Sequence, residues 1–427
     1  MRNLKRALSL TLASVMLLGM MVVGSSAAAG YSDVAETDNV EAIEVLQAIG
    51  VMVGDDNGFR PGDSVNRAEM AVVMAKLLNL DYNYYSATCP FDDVYDWARG
   101  YVGACYANGI VSGRGEGIYD PGTTVTAVEA ASMMLRALGY FKYQSDYADG
   151  FEVATVREGT KVGIFKGVGS SANTPLTRNQ VAQMALNALR TGVVEPDGNT
   201  INMTTPDGSV ITSKVNYVNV TSNKSFAAAI SKVQATSVGS ANDGYIVELG
   251  ERLYDGKLKL DEDGLDVFGR PARKWEFDGK FVGAYAKKEL MVKNHVGKVT
   301  GLELYELLGA STIKDYDLFV AVDGVDDPAI VRGLSGADSL NSDYVFNKSD
   351  LNRNNKAAVG GTGTGVLMQV FVDHEKDHIY IAVINTYLAR ADKAYDAKKE
   401  EASIEIYNLD KDLSTGDLAR DNGDGTV

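Results

Sequence analysis

Apolar residues recur three and four positions apart in three stretches of this chain: Val65 to Leu78 (VNRAEMAVVMAKLL), Val125 to Leu138 (VTAVEAASMMLRAL) and Leu176 to Leu189 (LTRNQVAQMALNAL). Each predicts an amphipathic helix opened by a short polar segment. The helices follow the turns Phe59-Arg60-Pro61-Gly62, Tyr119-Asp120-Pro121-Gly122 and Thr174-Pro175. An upstream half accompanies each copy. In the second it runs from Phe91 to Gly113, with Trp97, Tyr101, Val102, Cys105 and Ile110 at helical spacings on one face. The first matches it as Tyr31 to Val34, then Ile43, Leu46 and Ile49 ahead of Gly50-Val51-Met52-Val53-Gly54; the third, Phe151 to Gly167, keeps Val156, Val162, Ile164 and a final glycine. The unit is therefore helix, glycine turn, loop, helix, repeating about every 50–60 residues, and such units bury their apolar faces only by stacking on one another.

The motifs F-x-D-V, G-[IV]-[VM]-x-G and [VIL]-T-R-A-E, in these degenerate forms over residues 31 to 192, resemble the S-layer homology (SLH) family. The resemblance implies a three-repeat, three-pronged helical domain of helix-loop-helix units for the N-terminal part. With the β-rich C-terminal region that the alternation beyond Asn199 predicts, the expected fold class is α+β multidomain. The resemblance also implies that grooves between the repeats bind an acidic, often pyruvylated, secondary cell-wall polymer of Gram-positive bacteria. Carried over by position, the ligand-binding set is Arg67 and Arg178, with Asp33, Asp93, Trp97, Gly54, Gly113 and Glu69. An arginine fork at a helix N-terminus suits a carboxylate, because charge-assisted bonds add to backbone N–H groups and the helix dipole. The second copy has Ala127 where the arginine should stand, so that groove is expected to be weak or silent. The third has no clear aspartate, Asp149 being a poor substitute. A plainer reading stands beside this one: an Asp before a helix is an ordinary N-cap, and an Asp-Arg pair can simply brace a loop.

Arg2, Lys5 and Arg6, the apolar run Ala7 to Val23 and Ala27-Ala28-Ala29 read as a secretory signal peptide with its cleavage site. The expected division is 1–29 signal peptide, 30–88, 89–142 and 143–194 repeats, and 195–427 a β-rich region of unassigned role. Localisation follows as secreted and wall-bound, with no membrane association after signal removal. The close at Asn422-Gly423-Asp424-Gly425-Thr426-Val427 reads like the turn and start of a strand, which leaves open whether the chain is a truncated product.

Composition adds one restriction. With 57 Asp+Glu against 41 Lys+Arg the net charge is -16, which disfavours nucleic acid and anionic lipid as partners. An acidic protein holding an acidic polymer must do so through local cationic grooves. The two cysteines, Cys89 and Cys105, are open to either reading, a disulfide that export permits or buried free thiols.

Beyond Pro196-Asp197-Gly198-Asn199 the texture changes to alternation. Val210 to Val220, Gly244 to Leu249 and Phe281 to Ala286 read as strands, and Val299 to Gly309 as a helix closed by its glycine. Gly269-Arg270-Pro271 reads as a turn and Trp275 as a core anchor.

His374-Glu375-Lys376-Asp377-His378 matches the H-E-x-x-H zinc pattern, which works only on a helix. Here Met368, Val370 and Val372 before it and Ile379, Ile381 and Val383 after it alternate, so His374, Glu375 and His378 are read as a hairpin decoy, not a metal site. Gly360 to Gly365 lacks the Lys-Ser/Thr of a phosphate loop and reads as a flexible connector. Asp55-Asp56-Asn57-Gly58 and Asp261-Glu262-Asp263-Gly264 read as acidic turns; no cofactor is expected, with weak calcium binding the one alternative left open. The chain is expected not to be an enzyme. Its partners are a wall polysaccharide and other S-layer subunits, and the rival readings are a wall-anchored polysaccharide hydrolase with a catalytic C-terminal half, or an adhesin.

Overall fold

The computed structural model describes residues 31–35, 37–198, 202–204, 210–212, 215–221, 245–324, 346–386, 389–396 and 401–406. The expected signal peptide and the final residues lie outside these. The chain divides into two compact units, one of residues 28–260 with 275–282, the other of 261–274 with 283–427.

In the first unit six helices form three pairs: α1 (Val40–Ala48) and α2 (Arg67–Leu77), α3 (Arg99–Ala107) and α4 (Ala127–Leu138), α5 (Phe151–Lys161) and α6 (Arg178–Leu189). The apolar spacing accounts for the second helix of each pair: Met70, Met74 and Leu77, then Met134, Leu135 and Leu138, then Val181, Met184 and Leu189 are all buried. Capping boxes start them. Asn66 with Glu69, Thr126 with Glu129 and Thr177 with Gln180 each exchange side-chain and backbone hydrogen bonds, satisfying two of the donors that a helix start leaves open.

Packing is swapped around the unit. First helix α3 lies on α2, α5 on α4, and α1 on α6, so every pair is completed by its neighbour and the third closes on the first. The closure is a ring of backbone hydrogen bonds: Val65 N–H donates to Leu176 O (3.0 Å), Leu176 N–H to Val125 O (3.0 Å), and Val125 N–H to Val65 O (2.9 Å). All three residues are buried.

The unit extends past the boundary expected at 194. Val193 N–H donates to Val247 O, Val247 N–H to Val220 O and Val220 N–H to Val193 O, each at 2.9 Å. This second ring ties the segment after α6 to Val220 and Val247, and β1 (Val194–Pro196), which starts directly after Val193, pairs with β4 (Tyr217–Asn219). Between them β2 (Asn202–Thr204) and β3 (Val210–Thr212) form a short hairpin. The single strand expected over 210–220 is thus two, and the run expected as strand to Leu249 gives way there to a short helix, α7 (Leu249–Leu253). Trp275 is buried, with its indole N–H on Glu41 Oε1 at 2.8 Å.

Strands β5 (Leu258–Leu265), β6 (Pro271–Phe277) and β7 (Lys280–Ala286) form one sheet in that order, and the division between the units falls within them. Asp261 to Gly264, expected as an acidic turn, lies inside β5. Its acids are tolerated because they sit at exposed or half-buried positions.

The second unit is built on a four-stranded sheet ordered β8 (Met291–Val296), β10 (Val366–Asp373), β11 (His378–Asn385), β9 (Asp317–Val322). β11 runs antiparallel to β10 and parallel to β9. One face carries Met368, Val370, Ile381 and Val383 against Leu304, Leu308 and Ile313 of α8 (Gly301–Leu308) and α9 (Ala310–Asp315). The other face receives the Asp266–Arg270 turn. Asp266 accepts from the Phe268 and Arg270 N–H groups and pairs with the Arg270 guanidinium at 2.5 Å, while Arg270 also donates to Gln369 at 3.1 Å. Strands β12 (Ala389–Asp396) and β13 (Glu401–Ile406) pair antiparallel.

Gly139 caps α4 at φ 108°, and a Cβ there would lie 2.1 Å from the Val194 carbonyl oxygen. Gly139→Ala combines left-handed strain with a backbone clash, so it should destabilise the helical unit by about 2 kcal/mol or more. Thermal unfolding followed at 222 nm measures the loss.

Candidate functional site

Each second helix begins against the loop of the next pair. Arg67 and Ala68 N–H groups donate to Thr123 O and Pro121 O, those of Ala127 and Val128 to Thr174 O and Ala172 O, and those of Arg178 and Asn179 to Asp63 O and Pro61 O. The helix-start donors that could have met a carboxylate are therefore spent on protein carbonyls, because closing the ring brings a loop across each helix end.

Arg67 and Arg178 occupy equivalent places. Arg67 Nε donates to Tyr119 O and Nη2 to Ser112 O, both at 3.0 Å, with the guanidinium 4.5 Å from the Tyr119 ring centroid. Arg178 Nε donates to Phe59 O at 2.8 Å and Nη2 to Val53 O at 3.1 Å, lying 4.7 Å from the Phe59 ring. Ser112 and Val53 immediately precede Gly113 and Gly54. Each arginine thus clasps the glycine turn and the loop aromatic of its neighbour. Arg67 is only 5% exposed, and its Nη1 lies 3.6 Å from Glu129. Burial, and then the positive charge of Arg60, push the Arg178 pKa down.

Asp33 and Asp93 are not helix caps. Asp33 accepts from Phe59 N–H (3.0 Å) and Arg60 N–H (2.6 Å), and Asp93 from Tyr119 N–H (2.8 Å) and Asp120 N–H (2.7 Å). Both brace loops whose residues Arg60 (φ 56°) and Asp120 (φ 62°) sit in the left-handed region. The Arg60 and then the Phe59 N–H groups hold the Asp33 pKa below the usual carboxylate range; for Asp120 the Thr123 hydroxyl leads, with Arg114 adding to it. Asp149 instead pairs with Arg157 at 2.5 Å.

Gly54 and Gly113 lie under the motif aromatics: an added Cβ would be 2.4 Å from the Tyr31 ring and 2.5 Å from that of Phe91. Glu69 caps α2. Trp97, which the spacing put on a buried face, is 56% exposed, because the helix proper starts at Arg99 and a 3-10 turn carries Asp96 to Ala98. It stacks beside exposed Tyr95 at 5.9 Å and 21°. Tyr95, absent from the sequence-derived set, belongs to the same aromatic platform. In the third pair, Lys166 O stands where Ser112 O and Val53 O stand, and with Ala127 too short to reach it, Asn187 donates to it at 2.7 Å and to Ile164 O at 2.9 Å. Cys89 and Cys105 are free and buried, and burial pushes the Cys105 thiol up to about 12.

His374 to His378 is a hairpin turn joining β10 to β11, with Asp373 opposite His378. His374 and His378 bond Tyr316 and Tyr380 hydroxyls at 2.8 and 2.9 Å. Among the described residues no group of three or more His, Cys, Asp or Glu is placed to hold a metal ion, and no helix is long and apolar enough to cross a membrane.

The geometry defines a repeat module of cross-braced helical pairs. The S-layer homology domain family matches residues 30–71 and 90–131, the first two pairs. The chain is 25% identical over 343 residues to the cell surface protein of Thermoanaerobacter kivui, covering 78% of this chain and 41% of that one. It is 28% identical over 135 residues to the S-layer protein of Bacillus thuringiensis subsp. finitimus, covering 31% and 16%. It is also 30% identical over 171 residues to an endoglucanase of Bacillus sp. (strain KSM-635), covering 36% and 18%. The chain spans less than half the length of each. Two stretches of the chain thus match the S-layer homology domain, and the relatives it resembles include proteins named for the cell surface and the S-layer.

Arg67→Ala would leave two carbonyls without partners inside the unit and should cost about 3 kcal/mol. Arg60→Ala, on an exposed pair, should cost under about 1 kcal/mol; urea unfolding of both variants compares them. Carboxylates with lowered folded-state pKa values stabilise fully above the usual carboxylate range and lose that contribution as pH falls through the lowered values. The helical unit should therefore weaken progressively below about pH 4, and Asp33→Asn should flatten that dependence in melts recorded from pH 5 to 2.

Proposed function

We propose that residues 31 to 194 are a three-repeat SLH anchor that holds the protein to the wall by binding an acidic, pyruvylated secondary polymer in the grooves between pairs. The observation that carries this reading is the repetition of one construction at two grooves, Arg178 on the Val53 and Phe59 carbonyls and Arg67 on those of Ser112 and Tyr119. Arg67, Arg178, Asp33 and Asp93 shape these grooves. Gly54 and Gly113 let the motif aromatics approach, and Glu69 fixes the helix start. Trp97 offers an exposed ring to a sugar face.

The third pair lacks a family match but repeats the capping box, the ring bond and the loop contacts of the other two, which supports counting it as a repeat. The C-terminal unit serves surface assembly, with other S-layer subunits as its partners. A catalytic role for it is not favoured, since the similarity to the endoglucanase takes in 18% of that enzyme.

The test is co-sedimentation of the full chain with purified wall sacculi, before and after extraction of the secondary polymer. Wild type should sediment with intact sacculi only, and Trp97→Ala should bind about tenfold more weakly, the worth of one exposed aromatic contact. Equal sedimentation with extracted walls would sink the reading.

A further inference from the structure

Both grooves hold a second, exposed arginine, supplied from opposite ends of an exchanged ion pair. At the first, the residue after the motif glycine is Asp55 and the residue after the loop aromatic is Arg60; at the second these are Arg114 and Asp120. The pair forms either way round. Arg60 Nη2 lies 3.1 Å from Asp55 and Nε 3.7 Å from Asp63, while Arg114 Nη1 lies 2.6 Å from Asp120 and Nη2 2.8 Å from Glu129. The arginine side chains are 43% and 39% exposed.

Each exposed arginine shares its site with a less exposed one, Arg178 half-buried and Arg67 buried. Arg178 Nε donates to the carbonyl of Phe59, the residue directly before Arg60, at 2.8 Å. Arg114 and Arg67 approach the same oxygen of Glu129. Arg67 and Arg178 each spend Nε and Nη2 on carbonyls, and the helix-start N–H groups are spent as well, so less of their charge is turned to an incoming anion than that of the exposed arginines. A guanidinium held by a neighbouring carboxylate is already oriented, and its exposed edge can bond a second anion. At the third groove Ala127 replaces the less exposed arginine, Val168 follows the motif glycine, and Ser171 precedes Ala172 as Arg60 precedes Pro61.

We propose that Arg60 and Arg114 are the cations that contact carboxylate groups of the wall polymer, with Arg67 and Arg178 acting as positioning residues behind them. This rests on the anchor reading above. It gives two acid-binding grooves per chain, and none between the second and third pairs. The exchange keeps each mouth's charge balanced without ligand while moving the arginine from one side of the groove to the other, so the two grooves present their charge from different directions.

The experiment is sacculus co-sedimentation of the full chain from 50 to 500 mM NaCl, using wild type, Arg60→Gln, Arg114→Gln, the double variant and the two lysine replacements. Each glutamine variant should lose about fivefold or more in affinity, and the double variant about 25-fold or more, with a shallower salt dependence. Melting temperatures should stay within about 2 °C of wild type, because exposed pairs contribute little to stability. Lysine should recover part of the affinity by restoring charge without the fork. Wild-type affinity and salt dependence in the double variant overturn the proposal while leaving the anchor reading intact. A loss that lysine does not recover, accompanied by a lowered melting temperature, overturns it too. Wild type that fails to sediment, or sediments equally with extracted walls, overturns both.

Discussion

Three backbone hydrogen bonds among Val65, Leu176 and Val125 hold the helical unit as a closed figure, and most of its other contacts follow from them. Buried N–H and C=O groups must be paired, and a helix pair standing alone has no partner for the residue ahead of its second helix. Closing the ring supplies one at all three places at once. It also sets each loop across the start of a neighbouring helix, where loop carbonyls take the first-turn donors. The first helices then pack on the neighbouring pair. A pair from this unit isolated in solution would keep its capping box but lose the neighbouring carbonyls at its helix start and the helix that packs on it.

The same closure sets the chemistry of the grooves. Because the ring fills the helix starts, Arg67 and Arg178 brace one helical pair against the next, and exposed charge is left to side chains on the loops. The third groove illustrates the dependence on shape over identity: with Ala127 in place of arginine, the carbonyl of Lys166 is still satisfied, now by Asn187 from the third pair's own helix. The hydrogen bond is kept while the cation is lost.

In the C-terminal unit the corresponding constraint is a sheet that must be covered on both faces. Helices cover one. The other takes a buried Asp266–Arg270 pair whose spare donor reaches Gln369, so the polar groups on that side answer one another. The H-E-x-x-H text falls at the end of this sheet because β10 and β11 need a polar turn. Its histidines bond tyrosine hydroxyls.

Periodicity alone determined the repeated helices, their polar starts, the glycine-closed helix over 301–308 and the hairpin around residue 375. These are local matters, decided by the spacing of apolar residues and by which side chains can cap or turn the backbone. Other features were out of reach of the sequence because they depend on residues far apart in the chain. Trp97 is exposed because the helix starts at Arg99. Asp33 braces a loop some 26 residues away. Acids sit within β5 where only one side of the strand is covered, and the first unit extends to residue 260 because Val193, Val220 and Val247 meet in a second ring. Burial of Arg67 belongs to the same class: the motif supplies the arginine, and only tertiary closure places the neighbouring repeat's carbonyls around it.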